Sequence, residues 1–281
     1  MKFFTKVIAT LGLGALFWYD QNNRLQTTRY SIKNKRIPNS FKGYKIIQLS
    51  DLHGKELGYD SQNLIKAIKK ENPDIIVITG DIIDGRKGND NTIKEINSMI
   101  SLSKQLVKIA PTYFIAGNHE IHYGKIEERI KEKITFLPKL KSTGVIILDR
   151  DCLWLEKDKD KIALIGLNDI YLDSPSLLLN LTNEATQYKD FKILLAHEPQ
   201  YIKNYNRANI DLALTGHTHG GQIRLPFIGG LYAPQQGILP QYDGGKFQYR
   251  KTTLIVNRGI GNSIFPLRVF NHPEMVVVTL E

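Results

Sequence analysis

"IDLALTGHTHGGQI", residues 210–223, joins two patterns. Its first half, IDLALTG (residues 210–216), is a short apolar run of the kind that forms a strand buried on both faces. Its second half sets His217 and His219 one residue apart among glycines. Alternate side chains of an extended segment share a face, so both imidazoles would point the same way, and glycine lets backbone and ligand approach closely. A buried strand ending in paired imidazoles predicts half of a site. The fold turns on whether other strands end the same way.

Five others do. YKIIQLS (44–50), DIIVITG (74–80), TYFIAGN (112–118), KIALIGL (161–167) and KILLAHE (192–198) are short, apolar and partly β-branched, and each predicts a buried strand. Between several of them lie helical patterns, SQNLIKAIKKE (61–71) and TIKEINSMISLSKQL (92–106), with apolar residues every three or four positions. Further strands are expected at GVIILD (144–149) and CLWLEK (152–157), bracketing a tight turn at Arg150 and Asp151, and at TTLIVN (252–257) and MVVVTL (275–280). Strands closing both ends of an α/β chain predict two sheets packed face to face with helices outside, not a simple doubly wound sheet. The glycine- and proline-rich stretch 226–245 reads as a long loop, and such loops in compact domains are often functional.

Polar residues follow these strands in order. Asp51 and His53 come after the first, Asp81 and Asp84 after the second, Asn118 and His119 at the end of the third, His197 at a later one, and His217 with His219 at the next. Carboxyl ends of strands are where open α/β sheets gather ligands. Asp51, Asp81, Asn118, His53, His197, His217 and His219 make seven oxygen and nitrogen donors without a thiolate. That is too many for one tetrahedral ion and suits two divalent transition metals, with an aspartate such as Asp81 between them. Two ions about 3.5–4 Å apart can hold a phosphate and activate water for in-line attack on phosphorus.

The set SDLHG (50–54), TGDIIDGR (79–86), AGNHE (116–120), LAHEP (195–199) and TGHTHGGQIRLP (215–226) resembles the calcineurin-like metallophosphoesterases, in particular their small membrane-associated, YkuE-like branch. The similarity covers most of residues 44–281, including the tail VNRGIGNSIFPLR and HPEMVVVTL. It implies a four-layer αββα sandwich, two mixed sheets flanked by helices. It further implies that Asp51, His53, Asp81 and His219 hold one metal ion, manganese, iron or zinc, and that Asp81 bridges to a second held by Asn118, His197 and His217. His119 matches the residue that contacts phosphate and protonates the leaving oxygen, and Asp84 matches the carboxylate that orients it. The leader lacks the paired arginines some relatives carry, so their export route is not implied.

Each residue also has a plainer reading. An Asp after a strand is often a turn former, and Asp84 precedes a glycine. Glu120 and Glu198 read as supporting or capping groups, His122 and His272 belong to no motif, and Arg224 fits either an anionic substrate or a structural ion pair.

Composition sets the rest. The chain has 281 residues, 42% hydrophobic, enough for a sizeable core, and a single cysteine, Cys152, which excludes an intrachain disulfide. The first 50 residues carry nine cations against one acid, Asp20, and so hold +8 of the formal +10. With the surplus charge in the leader and not on the body, nucleic acid is not the favoured partner. Residues 7–19, VIATLGLGALFWY, lack charge; a helix of that length rises roughly 20 Å against the roughly 30 Å of a full span. Residues 1–19 are therefore expected to be a signal or anchor, residues 20–43 a basic linker lying on anionic headgroups, and residues 44–281 the catalytic domain. Cation counts favour the downstream side as cytoplasmic, whereas the short charged start followed by an apolar run fits a start-transfer signal; the two rules point opposite ways.

The chemistry expected is hydrolysis of a phosphodiester, phosphomonoester or pyrophosphate. The apolar leader and the loop LPFIGGLYAPQQGILPQY (225–242) favour a lipid-linked substrate, with the pyrophosphate of UDP-2,3-diacylglucosamine as the sharper alternative. A membrane scaffold without catalysis should have lost ligands, and this chain keeps all seven.

Overall fold

A computed structural model describes residues 2–84, 89–121, 136–168, 174–263 and 266–281. Two six-stranded mixed sheets lie at its centre. The first runs β1 (Gln26–Ile32), β16 (Glu274–Leu280), β2 (Lys45–Leu49), β3 (Ile75–Thr79), β4 (Thr112–Ile115), β5 (Ile146–Ile147). The second runs β14 (Gly245–Tyr249), β15 (Thr252–Val256), β9 (Leu212–Thr215), β8 (Lys192–Leu195), β7 (Asp160–Gly166), β6 (Asp151–Lys157). The inner strands pair in parallel, β2 with β3 and β4 in one sheet, β7 with β8, β9 and β15 in the other. Their carboxyl ends therefore emerge together.

Alternation along each strand builds three apolar layers. Ile46, Val77, Ile115, Leu164, Leu195, Leu214 and Val276 face one another between the sheets. Ile47, Leu49 and Ile78 face away, onto Leu64 and Ile68 of α2 (Gln62–Glu71) and Met99 and Leu102 of α3 (Asn89–Leu106). On the far side Ile165, Leu194, Ala213 and Leu254 meet a helix at Pro175–Ala185 and another at Ile202–Arg207, through Leu178, Ile202 and Tyr205. Burial on both faces is why these strands are written as continuous apolar runs. The four-layer αββα order is as expected.

Three expectations are corrected. The segment 20–43 is not a linker: α1 (Lys2–Asn23) runs past residue 19, and β1 then pairs in parallel with β16 from Gln26↔Glu274 to Ile32↔Leu280. Three of its six cations pair with the body, Arg29 with Glu71, Lys33 with Glu281 and Arg36 with Asp211 at 3.1 Å. Next, the turn expected at Arg150 and Asp151 is a bend at Asp149 and Arg150: β6 begins at Asp151 and sits in a different sheet from β5, so the bend carries the chain between sheets, with Arg150 at φ 53°. Last, the loop 226–245 is built of two short hairpins, β10 (Arg224–Leu225) with β11 (Gly229–Gly230) and β12 (Tyr232–Ala233) with β13 (Gly237–Ile238), before β14 begins at its end.

One polar residue ties the sheets together just below the strand ends. Gln48, fully buried, donates from Nε2 to Thr79 Oγ1 at 3.0 Å and to the Thr215 carbonyl at 2.8 Å across the sheet gap, and its own carbonyl accepts from Asn257 Nδ2.

Candidate metal centre

All the donors expected from the sequence converge at the carboxyl ends of β2, β3, β4, β8 and β9. Turning from strand to loop there requires unusual backbone: Asp51, His53, Asp81, His217 and His219 all have φ between 47° and 71°. Side-chain-bearing residues avoid that left-handed region, and where several persist together a functional constraint is the usual cause. Backbone hydrogen bonds lock the turns, Asp51 N–H to the Gly80 carbonyl, His53 N–H to the Asp81 carbonyl and Gly216 N–H to the His197 carbonyl. At Gly216 a Cβ would collide with Ser50 Oγ and Asp51 Oδ2, so the opening motif needs glycine before its first histidine.

The donors fall into groups whose ligand atoms lie within 4.8 Å of one another: Asp51, His53 and His219; Asp81, His197 and His217; and His53, Asp84 and His119. In the first, His53 Nε2 and His219 Nε2 are 3.1 Å apart, and His219 Nε2 is 3.4 Å from Asp51 Oδ1. In the second, His197 Nε2 is 3.1 Å from Asp81 Oδ2, while His53 Nε2 lies 3.8 Å from the same oxygen. Asp81 thus faces both groups. Asn118, at the start of a single helical turn (Asn118–Ile121), places Oδ1 3.0 Å from His217 Nδ1.

These spacings suit ions. Donors held about 2.1 Å from one metal stand about 3.0–3.4 Å apart. His197 Nδ1 donates to the Thr79 carbonyl at 2.6 Å, so in the neutral ring Nε2 turns its lone pair toward the Asp81 carboxylate. Two acceptors at 3.1 Å require a cation or proton between them. Burial, aided by His197, pulls the His217 imidazole down to about 4, and burial with His53 nearby holds His219 well below its ordinary range. Both are neutral at pH 7, the form that ligates metal. Burial pushes Asp51 up to about 6; for Asp81 the same push is outweighed by His197, His119 and His53, which hold it well below the usual carboxylate range.

The supporting residues are now visible. Glu120 accepts from the backbone N–H groups of Asp81, Ile82, Ile83 and Gly117 at 2.8–3.2 Å and so clamps the Asp81 turn to the Asn118 turn. Asp84 Oδ1 lies 3.3 Å from His119 Nδ1, and the Asp84 N–H is held by Glu95. His119 Nε2 points back toward the centre, 3.9 Å from Asp81 Oδ2. Arg224 does not face the centre: it pairs with Asp243 at 3.0 Å and donates to the Gly220 carbonyl, because the β10–β11 hairpin must be tied to the histidine turn. His272 belongs to the N-terminal attachment, and His122 lies outside the described residues. Gln235, which no local pattern marks, reaches His217 from the β12–β13 turn. Only the glycine-rich loop as a whole had signalled that region.

The family model for calcineurin-like phosphoesterase matches residues 44–221. The chain belongs to that family. It is 34% identical over 266 residues to the uncharacterized metallophosphoesterase YkuE of Bacillus subtilis, covering 94% of this chain and 88% of that one. It is 26% identical over 245 residues to the phosphodiesterase YaeI of Escherichia coli, covering 84% and 82%. Among solved structures, a phosphopantetheinyl hydrolase of Mycobacterium tuberculosis aligns with a TM-score of 0.45 at 11% identity, over 81% of this chain and 96% of that one. The chain is therefore a metallophosphoesterase, a metal-dependent hydrolase of phosphoester bonds.

Proposed function

We propose that this enzyme hydrolyses a phosphodiester with two divalent ions at the strand ends, working at a membrane surface. The observation that carries the reading is the convergence of seven donors, all buried except the half-buried Asn118, in adjoining groups that meet at the Asp81 carboxylate. Asp51, His53, Asp81 and His219 would hold one ion, and Asp81, Asn118, His197 and His217 the other, with manganese, iron and zinc as the ions such donors suit. When bound, the ions neutralise phosphate charge and acidify water. His119 would contact the phosphate and give its proton to the leaving oxygen, oriented through Nδ1 by Asp84.

Among the described residues no helix is long and apolar enough to cross a membrane. The membrane reading rests instead on α1 as an interfacial helix: Ile8, Leu11, Leu13 and Leu16 are each about two-thirds exposed. The apolar tip Phe227–Ile228 is exposed as well, and Phe270, which meets α1 at Phe17, lines one open pocket with it. That surface supports a second reading of the substrate, the pyrophosphate of a lipid-linked nucleotide sugar such as UDP-2,3-diacylglucosamine. The relative named a phosphodiesterase supports the diester.

The test strips the full chain of metal, restores Mn²⁺, Fe²⁺, Zn²⁺ or Mg²⁺, and assays bis-p-nitrophenyl phosphate and p-nitrophenyl phosphate, with Asp81→Asn as control. Metal-dependent turnover of the diester above the monoester, lost in the control, supports the proposal. Turnover of the monoester alone overturns the diester assignment, and turnover independent of metal overturns the site.

A further inference from the structure

Gln235 occupies the turn between β12 and β13 with φ 53°, a conformation that residues bearing a Cβ adopt only under constraint. The residue is exposed, yet its side-chain amide reaches the buried His217. Oε1 hydrogen-bonds with His217 Nε2, and Nε2 donates to Glu198 Oε1 at 3.3 Å. Glu198 is itself fixed, its other carboxylate oxygen accepting from Gln200 and its carbonyl from the Tyr205 hydroxyl.

The chain of donors and acceptors has one solution. A carboxylate only accepts, so the Gln235 amide nitrogen must face Glu198 and the amide oxygen must face His217. An amide oxygen also only accepts, so His217 carries its proton on Nε2. In the neutral ring Nδ1 then keeps its lone pair, and it lies 3.0 Å from Asn118 Oδ1, another acceptor. Two acceptors so close converge on a place for a cation.

We propose that Gln235 is a positioning residue for the second ion: held by Glu198, it fixes His217 in the Nε2–H tautomer so that Nδ1 and Asn118 Oδ1 face one divalent cation together. The inference rests on the two-ion reading above. Its logic is that of the outer partners that set the tautomer of metal-binding histidines, with an amide and a carboxylate in series. Without Gln235 the ring can take the opposite tautomer and donate from Nδ1 to Asn118 Oδ1. One proton would then occupy both ligand atoms.

The experiment uses the full chain, metal-free, and reads the His217 ring by long-range proton–nitrogen spectra assigned with His217→Gln. Wild type is expected to show a protonated Nε2 and a bare Nδ1. Gln235→Leu is expected to move the proton to Nδ1, and in a Mn²⁺ titration to weaken the second ion about 10- to 100-fold while leaving the first unchanged. Glu198→Gln, which frees the amide to face either way, is expected to give a mixture of tautomers. Because Gln235 lies in a surface turn, an unchanged first-ion affinity also certifies the fold of the variant. A wild-type ring protonated on Nδ1, or a Gln235→Leu protein that binds both ions with unaltered affinity and tautomer, would overturn the inference and leave the two-ion reading standing. A wild type that binds fewer than two Mn²⁺ ions would overturn that reading and this inference with it.

Discussion

At the strand ends Asp51 and His197 are 0% exposed and Asp81 2%, whereas along α1 Leu11 and Leu13 are 68% exposed. The two regions invert the ordinary rule in opposite directions, one burying charge-bearing groups and the other presenting apolar side chains to solvent. Each inversion costs free energy until something other than water meets it, which is the part proposed for cations in the first case and for an apolar phase in the second. They differ in how they are held. The centre is fixed by five strand ends, the Glu120 clamp and the Gln48 bridge; α1 is attached through Phe17 and its last turn. The difference predicts that chemistry and the proposed membrane attachment are separable, and five substitutions or truncations can break or sharpen that claim.

The largest effect is expected from Asp81→Asn. The shared carboxylate becomes a neutral amide among histidines, so hydrolysis of bis-p-nitrophenyl phosphate and bound metal should fall to background together, while sedimentation with anionic vesicles stays as in wild type. Elemental analysis beside the assay reads both. Retained metal and activity would remove Asp81 from the centre.

His119→Ala should act on turnover alone. Metal content is expected to stay, and the rate to fall roughly 10²- to 10⁴-fold for esters with poor leaving groups, less for p-nitrophenolate, which needs little protonation. An equal loss across leaving groups would argue against proton donation. Asp84→Asn should reproduce a part of that dependence, since Asp84 acts through His119 Nδ1.

What the sequence made legible follows from where each residue lies. β2, β3, β8 and β9 are buried on both faces and so appear as unbroken apolar runs, with the donors directly after them. β1, QTTRYSI, is an edge strand with one half-exposed face; its mixed pattern merged with the basic leader, and its partner β16 lies some 250 residues away. Arg224 and Gln235 show the same limit inside the site. Whether a cation meets Asp243 or a substrate, and whether an amide meets solvent or His217, depends on how two hairpins fold back, which no spacing along the chain records.

Removing residues 2–16 should change association without changing chemistry. The cut keeps Phe17 and the last turn of α1, and it keeps β1, whose loss would expose the edge of β16. Sedimentation with vesicles is expected to be lost and kcat/KM on the soluble diester to stay within about twofold. Sustained binding to vesicles would move the attachment to Phe227, Ile228 and Phe270, and a collapse of kcat/KM would show that the regions are coupled.

The smallest effect tests the joint itself. His272 Nε2 lies 2.9 Å from Asp20 Oδ2, 3.0 Å from Gln21 Nε2 and 2.8 Å from Arg24 Nη2, and so gathers the last turn of α1 onto the segment that enters β16. One residue further along α1, Asn22 meets Lys55 through its carbonyl and the Arg268 N–H through its side chain, and Arg268 is buried against the carbonyls of Gly261 and Arg258. His272→Ala removes only the outer, partly solvated half of this joint. Amide exchange at residues 20–24 should quicken a few-fold, about what one or two screened hydrogen bonds are worth, with the Lys55 and Arg268 contacts preserving the rest. Hydrolysis should not change, because Asn22 and not His272 touches the turn that follows Asp51 and His53. If exchange stayed the same, the inner contacts alone would hold the helix. If hydrolysis fell, the last turn of α1 would be part of the catalytic body.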